Sequence, residues 1–340
     1  MLRLPLPSSI VILALILLLT MLASVVTGAL PLPWMDSLSF LGQRLTGIGG
    51  STLEPHEQAV IWELRVPRTL LAMLVGAILA QCGAVMQGVF RNPLADPGII
   101  GVSAGAAVGA VLAIYFSPPA ISQWTIPLGA FLAGLGCAML VYQLARSQFG
   151  TSVLVLLLAG IALSALAGSL IGLISYLADD ARLRDVSLWQ MGSLAAADRW
   201  RLWLLAAAAV LLTVRFNQHA PALNALLLGE AEARHLGINV EALKRELILL
   251  VALGVGLCVA AAGVIGFVGL VVPHLIRTFT GPDHRALLPL SALGGALLLL
   301  LADLISRVMI APAELPVGIV TGLIGAPFFV LLLLQMKGRF

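Results

Sequence analysis

Few residues of this chain combine a reactive side chain with a spacing that chemistry could use. The pentapeptide Gly101-Val-Ser-Ala-Gly105 matches G-x-S-x-G, in which a strained turn between a strand and a helix exposes a nucleophilic serine. Here the pentapeptide begins an apolar, glycine-rich helix, and the candidate bases near the membrane are His274 and His284. Because short motifs arise often by chance, a membrane enzyme built on Ser103 is the weakest hypothesis that the sequence supports.

The charged pairs favour binding or structural support over catalysis. Asp303 and Arg307 stand four apart on one predicted helix, which lowers the cost of holding both charges near lipid. A structural ion pair and a functional pair are equally compatible with this spacing. Arg65 and Arg68 stand three apart on one face at the outer mouth of another helix. They could anchor that helix by snorkelling, or bind the carboxylates of an acidic partner.

The sequence contains no motif for binding a nucleotide or a metal ion. It has no G-x-x-x-x-G-K-[ST] and only two lysines, Lys244 and Lys337, so it cannot build a P-loop. If transport is driven by ATP, a separate subunit must therefore use the ATP and Mg²⁺, and we expect this chain to bind no cofactor. Cys82, Cys137 and Cys258 lie singly in apolar runs, which predicts packing residues and no metal site.

Membrane helices must position these residues. The chain is 60% hydrophobic and 10% charged, with a mean hydropathy of +1.07. Its continuous apolar runs reach the roughly 20 residues that span a bilayer, and they exclude a β-barrel, whose strands alternate. We predict an all-α polytopic membrane protein, a single domain over residues 1–340. Its ten helices are expected near 8–30, 60–82, 94–116, 123–145, 152–175, 200–216, 243–265, 269–280, 285–308 and 317–336.

An even number of spans places both termini on one side of the membrane. If that side is the cytoplasm, it carries 11 of the 19 lysines and arginines, including Arg3 and Arg339, as the positive-inside rule requires. Residues 30–59 and 176–201 are then outer loops, and residues 215–246 form a long polar segment at the cytoplasmic face. The first apolar run lacks a clear cleavage site, so we expect an uncleaved first helix.

A proline-rich break, Arg91-Asn-Pro-Leu-Ala-Asp-Pro-Gly98, separates two of the predicted helices. Lipid cannot hydrate the backbone groups that Pro93 and Pro97 leave unpaired, so the break must lie at a membrane face or inside protein. A stiffened turn of this kind indicates a transporter. An ion-coupled secondary transporter is one alternative, because that class uses broken helices and ionisable residues such as Asp303 within the membrane.

Several motifs in order give the chain a family resemblance. They are Leu64–Arg68, Gly83–Gln87, Arg91–Gly98, Gly101–Gly105, Trp189–Ser193, Leu228–Glu230, Leu236–Gly237, Gly266–His274 with Arg277, and Glu314–Gly318. Over nearly its whole length the chain resembles the FecCD/BtuC family, the permeases of type II ABC importers for iron-siderophores, haem and cobalamin. The resemblance implies a BtuC-like fold of ten membrane helices per subunit. It also implies a passage between two permease copies, for which we expect a homodimer.

The same resemblance implies partners and site residues. The partners are two cytoplasmic ABC ATPases, a periplasmic substrate-binding protein and the lipid bilayer, with no nucleic acid. The binding protein would dock on Arg65, Arg68 and Arg307. Residues 215–246 would form the coupling-helix region seated on the ATPase, with Leu228, Gly229, Glu230, Ala233, Arg234, Leu236 and Gly237. The cytoplasmic gate would comprise Asn92, Pro93, Leu94, Thr151 and Ser152. His274 belongs to a motif expected at a cytoplasmic turn.

The cargo is less well determined by the sequence. The segment 176–185 before Trp189 looks most like the haem permeases of the family, and Arg182 and Arg184 could bind haem propionates by charge-assisted hydrogen bonds. Solvated charges in an outer loop explain the same residues more simply, since surface charges are usually just solvated. We expect haem first and ferric siderophore next. The alternatives are a cobalamin permease of the same family and an ion-coupled secondary transporter.

Overall fold

The computed structural model describes residues 5–47, 50–148 and 150–337, so Arg3, Arg339 and the two chain ends lie outside the described residues. Within the described part, eight helices are long and apolar enough to cross a membrane. Two shorter apolar helices, Val102–Phe116 and Val268–Thr280, accompany them. The predicted all-α polytopic architecture, with about ten membrane helices, is confirmed.

Short connections link the helices in chain order. They are α1 (Leu6–Val26), α2 (Trp34–Thr46), α3 (Pro55–Ala59), α4 (Val66–Phe90), α5 (Val102–Phe116), α6 (Ser122–Ala145), α7 (Val153–Leu177), α8 (Asp180–Gln190), α9 (Arg199–Gln218), α10 (Ala220–Leu228), α11 (Glu230–His235), α12 (Val240–Ala262), α13 (Val268–Thr280), α14 (His284–Val308) and α15 (Val317–Lys337). A π-helical turn, Val60–Arg65, joins α3 to α4. An antiparallel hairpin of β1 (Arg146–Ser147) and β2 (Gly150–Thr151) connects α6 to α7.

Helix α4 forms the centre of the bundle. The span that contains it is 78% buried, and those of α12 and α14, which pack against it, are 61% and 50% buried. The spans of α1, α6, α7, α9 and α15 are between 17% and 28% buried. Because lipid chains are as apolar as leucine, the exposed leucines of these peripheral helices are suited to a bilayer.

Glycines let the central helices touch backbone to backbone. A Cβ atom at Gly83 of α4 would overlap the carbonyl oxygen of Gly269 in α13, and one at Gly76 would overlap that of Gly295 in α14. In lipid no hydrophobic force drives helices together, so close approach through small residues supplies the packing energy. The glycine content of the central helices is thus a requirement of their packing.

The prediction that residues 30–59 form an outer loop is wrong in detail, because helices α2 and α3 lie within this segment. Phe40 packs with Val25, Leu53 and Ile61 in a small apolar cluster separate from the main core. One apolar face is enough to hold a short helix against the bundle. Because such a segment has no continuous apolar run, a search for apolar runs does not detect the helix.

Two further elements were not predicted from the apolar runs. The predicted outer loop 176–201 contains α8, which Asp179 begins as an N-cap. The β1–β2 hairpin was not predicted, because strands of two residues show no periodicity. Both elements depend on caps and tertiary contacts more than on hydrophobic pattern.

The break after α4 is a built turn, as predicted, but it is longer than expected. Arg91 ends α4 in the left-handed conformation at φ 51°, and the Asp96 carboxylate accepts the N–H of Gly98 at 2.7 Å. A 3₁₀ turn, Pro97–Ile100, then leads to Gly101, so α5 begins at residue 102 and not near 94. The G-x-S-x-G motif follows a 3₁₀ turn, which differs from the strand–turn–helix of a nucleophile elbow.

We expect Gly83→Ala to lower the free energy of unfolding by about 1–3 kcal/mol, the usual cost of overpacking. The new methyl group would meet the α13 backbone. The thermal unfolding midpoint of the detergent-purified permease measures this. The matched control is Gly136→Ala in α6, where no neighbouring atom lies within 4 Å of the added Cβ. Equal midpoints for the two variants would contradict the packing.

Candidate coupling and docking sites

A buried charged cluster lies at the end of the bundle where α1 ends and α4 begins. Arg68 Nε donates to Asp303 Oδ1 at 2.9 Å, and Arg68 Nη1 donates to Glu314 Oε2 at 2.6 Å. Arg307 Nε lies 3.0 Å from Asp303 Oδ2, so the predicted i,i+4 pair forms. Asp303 is fully buried between the two guanidinium groups. Removing one partner of such a pair leaves an uncompensated buried charge.

Two of the arginines also satisfy the end of α1. Arg65 Nη1 donates to the carbonyl oxygens of Val25 at 3.2 Å and Val26 at 2.5 Å. Arg307 Nη1 donates to the carbonyl oxygen of Ser24 at 3.1 Å, and its Nη2 donates to the Ser24 hydroxyl at 2.5 Å. The last carbonyls of a helix have no partner within the helix, and cations are favoured there.

The structure brings together the three arginines for which docking was predicted. Arg65 and Arg307 are only 5% and 3% exposed, so Arg65 does not act as a snorkelling anchor. The side chain of Arg68 is 11% exposed and that of its partner Glu314 is 37% exposed. The docking role stays a prediction, and the pair of Arg68 and Glu314 is the part of the cluster closest to solvent.

Sequence motifs that are far apart meet beside α8. The N–H of Ser193 donates to the carbonyl oxygen of Ala262 at 2.8 Å, and the N–H of Gly318 donates to that of Met191 at 3.1 Å. Gly263, at φ 70°, passes so close to the carbonyl of Trp189 that a Cβ would not fit. The segment after α8 therefore joins the end of α12 to the start of α15.

Two short helices, α10 and α11, form a ledge between α9 and α12, and we refer to residues 220–237, which include both helices and the two residues after α11, as the coupling ledge. Gly229 separates the two helices at φ 122°, and Gly237 follows α11 at φ 84°, as predicted for glycines that end helices. Ala233 of α11 is buried, whereas Leu228 and Leu236 are 69% and 65% exposed. Exposed leucines on a short helix with charged neighbours indicate a surface for a partner or for lipid headgroups.

One part of the predicted gate is the β1–β2 hairpin and the residue after it. Thr151, in β2, is buried. Ser152 is the N-cap of α7, where its hydroxyl accepts the N–H of Val155 at 3.4 Å. Movement of the hairpin would therefore move the first turn of α7.

The other part of the predicted gate is the turn after α4. Asn92 is exposed, and its Oδ1 accepts the N–H of Leu94 at 3.0 Å across Pro93. The Arg91 guanidinium lies 3.9 Å from the point that a Cβ on Gly229 would occupy, so this turn adjoins the coupling ledge.

A lysine that sequence reasoning missed lies between the ledge and the hairpin. Lys244 is 1% exposed, and its Nζ donates to Glu230 Oε1 at 2.7 Å and to the carbonyl oxygen of Thr151 at 3.2 Å. Glu241 Oε2 accepts the N–H of Thr151 at 2.9 Å and its hydroxyl at 2.8 Å. The available signal was a glutamate and a lysine three apart in the charged first turns of α12, whose remainder is apolar.

The histidines near the membrane have other partners than Ser103. His284 Nδ1 lies 2.9 Å from Asn224 Oδ1, which also accepts the backbone N–H of His284. His274 lies within α13, where its ring packs edge-on against Phe328, whereas its motif begins in the turn before that helix, at Gly266 and Phe267. These contacts give both imidazoles a structural setting.

Asn224 also ties α10 to the start of α14. Its Nδ2 donates to Asp283 Oδ1 at 2.6 Å, and the same oxygen accepts the N–H of Arg285 at 2.9 Å. These bonds hold the pKa of Asp283 below its usual value. The stability that they supply is present above the unfolded-state pKa and is lost as the pH falls through the depressed folded-state pKa.

The two arginines expected near a ligand lie on α8. The Arg182 guanidinium is 5.0 Å from the ring centroid of Tyr115 and 3.7 Å from Asp179 Oδ2, whereas Arg184 is exposed. Their ligand role stays a prediction. The three cysteines are free thiols, and no group of three or more His, Cys, Asp or Glu within the described ranges could hold a metal ion.

The membrane-spanning helices, the proline-rich turn after α4 and the coupling ledge together indicate one class of protein, a multi-pass membrane permease. The chain belongs to the FecCD transport family, which matches residues 16–335. It is therefore the permease subunit of an ABC importer, a transport component.

Individual relatives agree with this assignment. The chain is 49% identical to the hemin transport system permease HmuU of Yersinia pestis, over 82% of this chain and 84% of that one. It is 40% identical to the vitamin B12 import permease BtuC of Klebsiella pneumoniae, over 96% and 93%. A solved structure described as an inward-facing metal-chelate type ABC transporter superposes with a TM-score of 0.83 at 36% identity, covering 97% of this chain and 99% of that chain.

We expect Asp303→Asn to cost about 3–5 kcal/mol of stability, because Arg68 and Arg307 would keep their buried charges without the carboxylate. The control is Asp180→Asn, which removes the same charge from an exposed position in α8. Thermal unfolding of the two purified variants gives the comparison. Loss of less than about 1 kcal/mol, the range of exposed pairs, would remove Asp303 from the centre of the cluster.

Proposed function

We propose that this permease moves an iron-bearing chelate inwards, with haem as the first candidate and a ferric siderophore as the next. The observation that carries the proposal is the 49% identity to a permease named for hemin transport. Relatives named for vitamin B12 import match at 40–42%, so cobalamin is the alternative cargo. Arg184, exposed on α8, is a candidate partner for haem propionates.

Transport in this proposal is driven by two ABC ATPases that bind the ATP and Mg²⁺. The coupling ledge supports this role, because Leu228 and Leu236 are exposed where they could enter a cleft of the ATPase. With the ledge assigned to the cytoplasmic side, the proposal has the chain cross the bacterial inner membrane with both termini in the cytoplasm. ATP binding shifts the access equilibrium only as far as the ATPases prefer one state of the permease.

A second copy of the chain is proposed to face α7 and α15. The α7 span is 17% buried, and neither Gly168 nor Gly172 has an atom within 4 Å of an added Cβ. Gly322 of α15 is equally open. Small residues four apart on an exposed helix face permit close helix contact, which suits a homodimer with the passage between its copies.

The substrate-binding protein is proposed to dock at the opposite end, over the cluster around Asp303. Arg68 is the candidate contact, while Arg65 and Arg307 hold the surface in place. An ion-coupled secondary transporter has less support, since Asp303, the acid on which it rested, is neutralised by two arginines.

Proteoliposome uptake tests the cargo. Proteoliposomes that contain the permease, its ATPase and the binding protein should accumulate haem when ATP is supplied to the ATPase. An excess of cyanocobalamin over haem should reduce the rate of haem uptake by less than twofold. Uptake of cyanocobalamin without haem would assign the alternative cargo. Uptake driven by an ion gradient without the ATPase would contradict the importer mechanism.

Arg68→Gln tests the docking site, because Arg307 still neutralises Asp303 in this variant. We expect stimulation of ATP hydrolysis by the binding protein to fall at least fivefold. Arg199→Gln is the control, since Arg199 is 78% exposed and outside the cluster. Unchanged stimulation in a correctly assembled Arg68→Gln complex would exclude Arg68 from docking.

A further inference from the structure

The buried salt-bridge network around Lys244 joins two parts of the molecule whose roles are proposed above. Glu230 belongs to the coupling ledge, and Thr151 belongs to the β1–β2 hairpin at the gate. Resting on that proposed function, we infer that Lys244 is a positioning residue that transmits movement of the coupling ledge to the gate hairpin.

The contacts form an unbroken route. Lys244 Nζ donates to Glu230 Oε1 on one side and to the carbonyl oxygen of Thr151 on the other, at 2.7 and 3.2 Å. Glu241, one turn earlier on α12, accepts the N–H and the hydroxyl of Thr151. The backbone N–H, the carbonyl and the side chain of Thr151 are thus all held by two side chains of α12.

The charges around Lys244 balance. Glu230 divides its carboxylate between Lys244 and Arg234, whose Nη2 lies 3.6 Å from Glu230 Oε2. Glu241 Oε1 lies 4.0 Å from Lys244 Nζ. Two cations therefore face two carboxylates, and charge-assisted hydrogen bonds of this kind are roughly twice as strong as neutral ones. A ledge that moved alone would break the hydrogen bond between the buried ammonium of Lys244 and Glu230, its nearer carboxylate, which is costly.

The hairpin is shaped to receive this connection. Gly150 has φ 115°, and a Cβ there would lie 2.6 Å from Glu241 Oε1, so the strand backbone packs directly on that carboxylate. Ser152 follows at once as the N-cap of α7. Displacement of Glu230 would thus pass through Lys244 and α12 to Thr151, and from there to the start of the helix proposed to face the passage.

The test measures import per ATP hydrolysed in proteoliposomes that contain the whole complex with haem as the probe. Lys244→Met keeps the length and packing of the side chain but removes its charge and its donors. We expect hydrolysis within twofold of the wild type and import per ATP lowered at least tenfold. Lys244→Arg, which keeps the charge and donors, should recover import per ATP to within about threefold.

A role in packing alone predicts the reverse order, with Lys244→Met active and Lys244→Arg impaired, and that result would overturn the inference. Arg285→Met is the control, because it removes an exposed cation from the start of α14 and should change the ratio less than twofold. If Lys244→Met does not assemble, Glu241→Gln replaces it, with an expected loss of at least threefold. A ratio within twofold of the wild type for that variant would equally overturn the inference.

The proposed ATPase seat is tested separately by Leu236→Glu, since Leu236 is exposed and is not one of the hydrogen-bond partners of Lys244. This variant should release the ATPase from the purified complex. If Leu236→Glu releases the ATPase while Lys244→Met imports normally, only the transmission role fails. If Leu236→Glu leaves the ATPase bound, the seat itself is wrong.

Discussion

The structure depends on one constraint, that hydrocarbon offers no water to satisfy a backbone polar group or a charge. Every such group within the membrane must find its partner in the protein. The cluster around Asp303 shows the consequence most clearly, because one carboxylate holds two guanidinium groups, and those of Arg307 and Arg65 complete the end of α1. The glycine contacts of α4 follow from the same lipid environment, since helices in lipid gain energy by packing closely.

Buried charged side chains bind carboxylates and backbone carbonyls at both ends of the bundle, with different consequences. At the α1 end, arginines bind carboxylates and backbone carbonyls between helices that meet directly, which fixes those helices. At the other end, Lys244 binds Glu230 of the ledge, and Glu241 binds Thr151 of the hairpin. The ledge also packs into the main core through Leu223, Leu226 and Ala233. In the proposed mechanism, charged contacts fix the helices at one end and connect moving parts at the other.

Sequence predicted the membrane class, the spans and the break at Arg91–Gly98, because apolar runs and prolines report directly on the solvent that surrounds a helix. It also predicted the pair of Asp303 and Arg307, since i,i+4 spacing is local. It missed α2, the β1–β2 hairpin and the roles of Lys244 and Glu241, all of which depend on contacts between distant segments. The burial of Arg65 was unexpected for the same reason, because a residue at a helix mouth can equally face solvent or a neighbouring helix.

We propose that the coupling ledge and the gate hairpin move as one body. Spin labels at Glu232 on the ledge and Gln148 in the hairpin, both exposed, report on this claim through their distance in the nucleotide-free and ATP-trapped complexes. We expect this distance to be unchanged within a single copy, while the distance between the Gln148 labels of the two copies changes. A change in the ledge-to-hairpin distance on ATP binding, as large as the change between the copies, would contradict it.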